Sequence, residues 1–332
     1  MTTLYVKEQG AVLRRTGERL VVTKDREVLE DVPILHVEQV VIMGNVQLTT
    51  PATALLLQKD IDVVFLSSYG KFRGRLMTTG SRFARLRHAQ LQYLADEQAV
   101  LALAQAIVAG KLRNQAALLR RLPGARSLGS AVQTLDQVRR RARRATDLDS
   151  LRGYEGTAGA SYFGALRTQI PQTWGFTRRI YHPPPDPVNA MLSLGYTLIL
   201  KDITAAVQLV GLDPFLGFFH ALDYGRPSLC LDLMEAFRPL VDGMVFQLIH
   251  DQRIQEGEFK PTEKNGKDAV LLEEPALQRY LRAYEQLINQ RFRYPQTGEH
   301  TPLRRCMELQ TRELAQVMLR KRRRFVPFTV DQ

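Results

Sequence analysis

The chain of 332 residues is poor in cysteine, and this limits the kinds of site that it can build. Its two cysteines, Cys230 and Cys306, stand far apart and in no paired spacing. Neither a disulfide framework nor a thiolate zinc site is therefore expected. Any metal would have to be bound mainly by oxygen and histidine ligands.

Long apolar runs are also missing. No segment approaches the roughly 18 to 20 uninterrupted apolar residues that a membrane span needs. The segment Met1–Tyr5 lacks a charged leader followed by an apolar run. We therefore expect a soluble, cytoplasmic protein with no membrane contact. With 45% hydrophobic residues and no internal repeat, the chain is long enough for two ordinary domains.

Acidic residues are scarce in one part of the chain only. The net charge is +12, but residues 1–75 hold ten basic and nine acidic residues, so residues 76–332 carry +11. Residues 100–144 contain ten basic residues and the single acid Asp136. A second basic run occupies residues 320–324.

One such run is explained about equally well by a solvated face or a disordered tail. Two runs on the same side of a composition boundary favour nucleic-acid binding. The predicted contact residues are Arg139, Arg140, Arg141, Arg143 and Arg144 in the first run, and Arg320, Lys321, Arg322, Arg323 and Arg324 in the second, which is expected to close the last helix.

The hydrophobic pattern changes at the same boundary. Up to residue 77, short β-branched blocks alternate with turn residues, which predicts a small β domain with a sheet or compact sandwich. One helix is expected at residues 52–58, because Pro51 suits a first helical turn.

After residue 78 the pattern is helical. Helices are predicted at about 81–122 (long or once broken), 130–144, 149–170, 187–210, 228–250, 275–293 and 302–324, with a short hairpin at 258–272 turning at Asn265-Gly266. The expected fold class is α+β, with a small β-sandwich-like domain at 1–77 and a larger all-α domain at 78–332.

Two carboxylates lie on the predicted helix 228–250. Asp232 and Glu235 are three residues apart and therefore neighbours on one side, which they share with Arg238 and Asp242. On spacing alone, an exposed face with an ordinary Glu235–Arg238 pair is the favoured explanation. Oxygen ligands in a mostly apolar helix also suit a divalent metal.

Two further candidates lie earlier in the chain. His220 ends an aromatic run and is joined to the acidic helix by a short loop, so a metal ligand and a hydrogen-bonded core histidine are about equally favoured. Glu155 stands among glycines 153, 156 and 159, which cost a helix roughly 1 kcal/mol each. These glycines predict close approach of another helix or of substrate, with Glu155 either at a metal or facing water.

Three motifs in order resemble one known family. They are Leu151-Arg152-Gly153-Tyr154-Glu155-Gly156 with Tyr162-Phe163, Pro183-Pro184-Pro185-Asp186-Pro187-Val188-Asn189-Ala190-Met191-Leu192-Ser193 with Gly195-Tyr196, and Gly217-Phe218-Phe219-His220 followed by Arg226-Pro227-Ser228-Leu229 and Asp232-Leu233-Met234-Glu235-Ala236-Phe237-Arg238-Pro239. Together they resemble the CRISPR-associated adaptation integrase, the first-numbered Cas family. The resemblance covers essentially the whole chain.

The resemblance implies a ligand set. The family's metal ligands fall on Glu155, His220 and Glu235, with Asp232 as an accessory acid, and the implied cofactor is one Mg²⁺ or Mn²⁺ per site. Arg238 is expected to hold Glu235 or touch phosphate. Asn189 and Tyr196 are expected to support the site or position a DNA strand.

The resemblance also implies a reaction and partners. The expected activity is metal-dependent endonuclease and strand-transfer chemistry that inserts new spacer DNA into a CRISPR array, a step of antiviral defence. The family works as homodimers joined mainly through the β domain and bridged by a small second Cas protein. The alternatives are a hydrolytic DNA nuclease without integration and a non-catalytic nucleic-acid-binding scaffold.

Overall fold

The computed structural model describes residues 2–68, 72–76, 84–181, 183–264 and 266–330. The chain divides into two compact units, Met1–Ser81 and Arg82–Gln332. The predicted boundary between residues 77 and 78 and the predicted turn residue Asn265 lie outside the described residues. The α+β class with strands first and helices second is confirmed.

The first unit is built from two four-stranded sheets and one helix. Its elements are β1 Thr2–Val6, β2 Val12–Thr16, β3 Arg19–Lys24, β4 Glu27–Pro33, β5 Val37–Met43, β6 Gln47–Leu48, α1 Thr50–Gln58, β7 Asp62–Leu66 and β8 Phe72–Leu76. One sheet has the order β1-β5-β7-β8 and the other β4-β3-β2-β6. Strand β5 is parallel to both β1 and β7, while β3 pairs antiparallel with its two neighbours.

Alternating side chains of both sheets form the core of this unit. Leu13 and Leu20 of one sheet and Val40 and Val63 of the other are fully buried in one cluster, which also includes Leu55 of α1. The sheet β4-β3-β2-β6 has one buried face, whereas consecutive residues of β5 are buried on both faces of the other sheet.

The second unit is mainly helical and carries two short hairpins. Its elements are α2 Ala84–Leu94, α3 Glu97–Arg121, α4 Gly129–Ala142, α5 Leu148–Arg167, α6 Pro187–Val210, α7 Ser228–Met234, α8 Arg238–His250, β9 Phe259–Lys264, β10 Lys267–Leu272, α9 Glu274–Asn289, β11 Arg291–Arg293, β12 His300–Pro302 and α10 Leu303–Met318. The hairpin β9–β10 lies where the sequence predicts one.

Helix α6 is the apolar centre of this unit. It begins at Pro187, is capped by the Asp186 side chain and ends at Gly211, which has a left-handed backbone (φ 93°). Among the described residues it is the helix long and apolar enough to cross a membrane, but 78% of its apolar window is buried inside the protein. That degree of burial is typical of a core helix.

Three of the predicted helices differ clearly from the structure at their ends. The predicted helix 275–293 ends at Asn289, and residues 291–293 form strand β11. The predicted helix 228–250 is two helices, α7 and α8, separated by a turn at residues 235–237. Pro239 has no N–H to donate and stands in the first turn of α8, so it cannot continue α7. The last helix stops at Met318, and Arg320 has a left-handed backbone (φ 57°). The run 320–324 therefore follows the helix instead of closing it.

Candidate functional site

Asp232 fixes the loop that carries His220. Its carboxylate accepts hydrogen bonds from the backbone N–H groups of residues 218–220 at 2.6, 3.0 and 2.9 Å. It also lies 2.7 Å from Nδ1 of His220. The loop packs closely on α7, because an added Cβ at Gly217 would lie 2.6 Å from backbone and side-chain atoms of Ser228.

This arrangement sets the orientation of the imidazole. A carboxylate oxygen accepts hydrogen bonds, so Nδ1 of His220 donates to Asp232, and Nε2 is directed toward Oε1 of Glu235, 3.9 Å away. Asp232 thus acts on His220 instead of pointing into the site. The predicted accessory acid Asp232 thus contacts the backbone N–H and the Nδ1 atom of His220.

Glu235 is the more enclosed of the two predicted carboxylate ligands. Its side chain is 3% exposed and lies in the turn between α7 and α8. Lys111 Nζ is 2.6 Å from Oε2, and Arg238 Nε is 3.2 Å and His220 Nε2 3.9 Å from Oε1. Burial raises the pKa of Glu235, but attraction by Arg238, Lys111 and His220 outweighs it and lowers that pKa to about 2. The carboxylate is therefore ionised at neutral pH.

Lys111 joins the two predicted carboxylate ligands. It comes from α3, and its Nζ donates to Oε1 of Glu155 on α5 while contacting Glu235. Its side chain is 10% exposed. Burial lowers the pKa of Lys111, but the attraction of Glu235 and Glu155 is larger in sum and the pKa is raised. The ammonium is therefore charged.

The glycines around Glu155 do not seat another helix among the described residues. A Cβ added at Gly153, Gly156 or Gly159 would meet no atom within 4 Å. Glu155 itself is only partly covered, with 26% of its side chain exposed. Two reasons were predicted for the glycines, the approach of another helix and the approach of substrate. The open surface is compatible with the second.

A third buried carboxylate, Asp242, supports the site through Tyr196 and Arg238. Asp242 on α8 accepts hydrogen bonds from the hydroxyls of Tyr196 and Tyr162 at 2.6 and 2.7 Å. The guanidinium of Arg238 stacks on the Tyr196 ring, 4.8 Å from its centre. Asp242 therefore orients Tyr196, Tyr196 supports Arg238, and Arg238 holds Glu235.

Asn189 makes its hydrogen bonds to residues outside the predicted ligand set. Its side-chain amide donates to Asp186 and to the Arg178 carbonyl, and its oxygen accepts from the Arg179 guanidinium and the Ile180 N–H. All of its hydrogen-bonding positions are used within the protein. Asn189 thus holds Arg179, whose guanidinium also lies 5.2 Å from the centre of the Tyr196 ring.

The donor atoms of the predicted ligands are of the kind that binds a divalent cation. Oε2 of Glu235 is buried and lies 2.6 Å from the Lys111 ammonium. Two carboxylates and the Nε2 of His220 form a donor set that Mg²⁺ or Mn²⁺ would accept. Within the ranges that the structure describes, however, no three acidic, histidine or cysteine side chains form a compact group. The Lys111 ammonium takes the space between Glu155 and Glu235.

The predicted basic runs differ in exposure and pairing. In the first run, Arg140, Arg141, Arg143 and Arg144 are exposed, whereas Arg139 is half-buried and bonded to Asp136 at 3.2 Å. In the second run all five residues, 320–324, are exposed, and Arg322 lies 3.4 Å from Glu313. Both runs thus offer positive charge to solvent, and their contact with nucleic acid stays a prediction.

Comparison with known proteins identifies the family to which the chain is similar. Residues 4–286 match the family described as CRISPR associated protein Cas1. The chain is 37% identical over 330 residues to CRISPR-associated endonuclease Cas1 3 of Thermus thermophilus, with 98% of this chain and 97% of the relative covered.

Solved structures share the fold. The chain of a casposase bound to integration product superposes with a TM-score of 0.83 at 22% identity, covering 98% of this chain and 92% of that one. A Cas6-RT-Cas1–Cas2 complex gives a TM-score of 0.84 at 24% identity, and the match covers 100% of this chain and 36% of that chain.

The chain has a strand-rich unit followed by a helical unit that carries a buried carboxylate and histidine site. Its relatives are endonucleases, and the chain is therefore a nuclease-class enzyme. The chain belongs to the Cas1 family of CRISPR-associated proteins. The resemblance predicted from the three motifs is thereby confirmed. The roles of the individual site residues stay predictions.

Sequence reasoning missed three residues that shape the site. Lys111 stands out in the sequence only as part of the basic run, although its helix is buried on nearly every side. Asp242 was placed on the polar side of one long helix, and Arg179 was given no role. A lysine between Gly110 and Leu112 in an apolar helix is the one signal that could have indicated a buried partner.

Proposed function

We propose that the protein is a divalent-metal-dependent DNA strand transferase that also cleaves DNA, and that it inserts spacer DNA into a CRISPR array. The observation that carries this proposal is that Glu155 and the buried, ionised Glu235 converge on one cation position, now held by the Lys111 ammonium, with Nε2 of His220 3.9 Å from Oε1 of Glu235. Two carboxylates and an imidazole around one cation position form a donor set that suits Mg²⁺ or Mn²⁺.

Each residue of the site has one task in this proposal. Glu155 and Glu235 supply oxygen ligands and His220 supplies Nε2, while Asp232 holds the imidazole and Arg238 holds Glu235. A bound Mg²⁺ or Mn²⁺ would polarise the target phosphodiester and stabilise charge on its oxygens.

The proposed reaction is a transesterification. The 3′ oxygen of an incoming DNA end forms a bond to phosphorus in a repeat strand, and the bond from that phosphorus to the neighbouring 3′ oxygen breaks. The attacking hydroxyl loses a proton and the leaving oxygen gains one. With water as the attacking group, the same site would cleave DNA.

Partners follow from the charge and from the relatives. The +11 of residues 76–332 would attract the phosphate backbone. One solved structure with this fold holds an integration product and another is a complex with Cas2. We propose DNA and a small Cas2-type protein as partners, with homodimers formed through the strand-rich unit.

Joining of a labelled DNA fragment to repeat DNA, with and without Mg²⁺ or Mn²⁺ and with the partner protein, tests the proposal. Wild type should give branched products only with metal, and Glu155→Gln and His220→Ala should give none while still binding DNA. Asp149→Asn is the matched control, because Asp149 is an acid on the same helix with a 92% exposed side chain.

The product identifies the alternatives. Nicked but never branched DNA would indicate a hydrolytic nuclease, and DNA binding without any product would indicate a scaffold. Full joining activity in Glu155→Gln and His220→Ala would contradict the assigned ligands.

DNA binding by the basic runs has its own test. The double variant Arg143→Ser/Arg144→Ser should bind all DNA sequences more weakly, with the slope of log K against log salt reduced by about 0.9 for each phosphate that the variant no longer neutralises. Arg14→Ser/Arg26→Ser removes the same charge from exposed positions of the strand-rich unit and is the control. An unchanged slope in the first variant would show that this run faces solvent.

A further inference from the structure

Lys111 occupies the position that a metal between Glu155 and Glu235 would need. Its Nζ donates to Oε1 of Glu155 and lies 2.6 Å from Oε2 of Glu235. These carboxylates come from α5 and from the turn after α7, so no local helix geometry brings them together. One ammonium therefore neutralises two acidic groups that are distant in sequence.

The backbone of Lys111 cannot move away with its side chain. Lys111 lies in the middle of α3, whose neighbouring residues Val108, Leu112 and Gln115 are buried. An added Cβ on the adjacent Gly110 would lie 2.5 Å from Pro327. The helix is thus fixed on this side, and only rotation of the flexible four-carbon stem can relocate the ammonium.

A divalent cation and this ammonium exclude each other. Both are attracted to the same carboxylate oxygens, and like charges at contact distance repel strongly in a site with little water. Metal binding by Glu155 and Glu235 must therefore release the ammonium. A released, desolvated ammonium needs another anion.

We propose that Lys111 is an internal cation that holds the metal position until a DNA phosphate takes over its ammonium, so that metal and DNA bind cooperatively. This inference rests on the proposed function, because it requires a metal at Glu155 and Glu235. DNA phosphate is the anion that the reaction itself brings to the site. Linkage then requires that DNA tightens metal binding and that metal tightens DNA binding by the same factor.

The structure also offers a matched control. Lys201 is a second buried lysine of the same unit, on α6, and its Nζ lies 3.2 Å from Asp202. The cation that bridges Glu155 and Glu235 is Lys111 instead. Lys201→Met therefore removes a buried ammonium away from the bridged pair.

The experiment measures Mn²⁺ binding with and without a short DNA duplex, by calorimetry and electron paramagnetic resonance. The site is defined as the Mn²⁺ binding that Glu235→Gln abolishes. For wild type we expect DNA to tighten Mn²⁺ binding about tenfold or more. Lys111→Met should bind Mn²⁺ about tenfold tighter without DNA, and DNA should then tighten its binding less than it does in wild type, because only the direct contact of the metal with DNA phosphate remains. Lys201→Met should behave like wild type.

A second variant and a stability measurement guard against misfolding. Lys111→Gln keeps a polar group of similar length and should show the same tighter binding and the same reduced coupling. Without metal, both Lys111 variants should have a lower Tm than wild type, because two carboxylates lose their counter-ion, and Mn²⁺ should restore more Tm in them than in wild type.

The two hypotheses fail in different ways. If Mn²⁺ binds at the site that Glu235→Gln abolishes, but neither Lys111 variant changes affinity or coupling, the inference is wrong and the proposed function stands. If no protein binds Mn²⁺ at such a site, the proposed function is wrong and the inference falls with it.

Discussion

Two of the buried carboxylates in the site region, Glu235 and Asp242, have pKa values shifted in opposite directions. They are seven residues apart, and they are 3% and 4% exposed. The pKa of Glu235 is lowered to about 2, whereas burial raises the pKa of Asp242 to about 6. Equal burial therefore does not give equal pKa values.

The difference comes from the partners. Glu235 faces the cations Arg238 and Lys111, which outweigh the cost of removing its charge from water. Asp242 accepts from the neutral hydroxyls of Tyr196 and Tyr162, which offset only part of that cost. Tyrosine hydroxyls satisfy both oxygens of Asp242, while Oε2 of Glu235 lies 2.6 Å from the Lys111 ammonium. One carboxylate is therefore paired with cations and the other with neutral donors.

The largest difference between Glu235 and Asp242 is expected when each carboxylate is replaced by its amide. Glu235→Gln removes a proposed ligand and the counter-ion of two buried cations, so strand transfer should fall by about 10³-fold, or roughly 4 kcal/mol. Asp242→Asn keeps an acceptor for the tyrosines and should stay within about threefold of wild type. Single-turnover joining rates measure both.

Equal losses in these two variants would contradict the division between a ligand and a support. Circular dichroism of both proteins is the control for folding. Asp149→Asn, on an exposed acid, should match wild type.

The pH dependence of stability should sharpen the comparison. For Asp242 the folded state binds its proton more tightly than the unfolded state, so its contribution favours folding at low pH and declines as pH rises from 3.8 to about 6. The full loss is about 3 kcal/mol, and about 1 kcal/mol of it falls between pH 5 and 7.

Urea unfolding of wild type and Asp242→Asn at pH 5 and pH 7 measures this effect. The variant lacks the titrating group, so its stability relative to wild type should rise by about 1 kcal/mol between the two pH values. A difference between the proteins that does not change with pH would show that Asp242 titrates normally in the folded protein.

The sequence predicted the helices of this site better than the contacts between them. Helix α6 was predicted with the bounds that the structure has, because Asp186, Pro187 and Gly211 are strong local end signals. The break before α8 was missed, although Pro239 is a local signal of the same kind. Local chemistry therefore accounts for both the success and the error.

The contacts of Lys111 could not be predicted in this way. They join α3, α5 and the turn after α7, and such long-range contacts depend on how whole helices pack. The motif resemblance supplied Glu155, His220 and Glu235 as one proposed set, but it carried no information on the cation between two of them. Burial of Asp232, Glu235 and Asp242 was likewise invisible, since their spacing equally suits an exposed face.

Tyr196 connects the two carboxylates, and its variants should have the smallest effects. Tyr196→Phe keeps the ring under Arg238 and removes one hydrogen bond to Asp242, so it should cost about 1 kcal/mol of stability and leave strand transfer within about threefold. Tyr196→Leu also removes the stacked ring, which holds Arg238 beside Glu235. Joining should then fall about tenfold further, because a cation–π contact in a desolvated site is worth about 1–2 kcal/mol. If joining is equally fast in the Phe and Leu variants, the Tyr196 ring does not position Arg238, and the two carboxylates act independently.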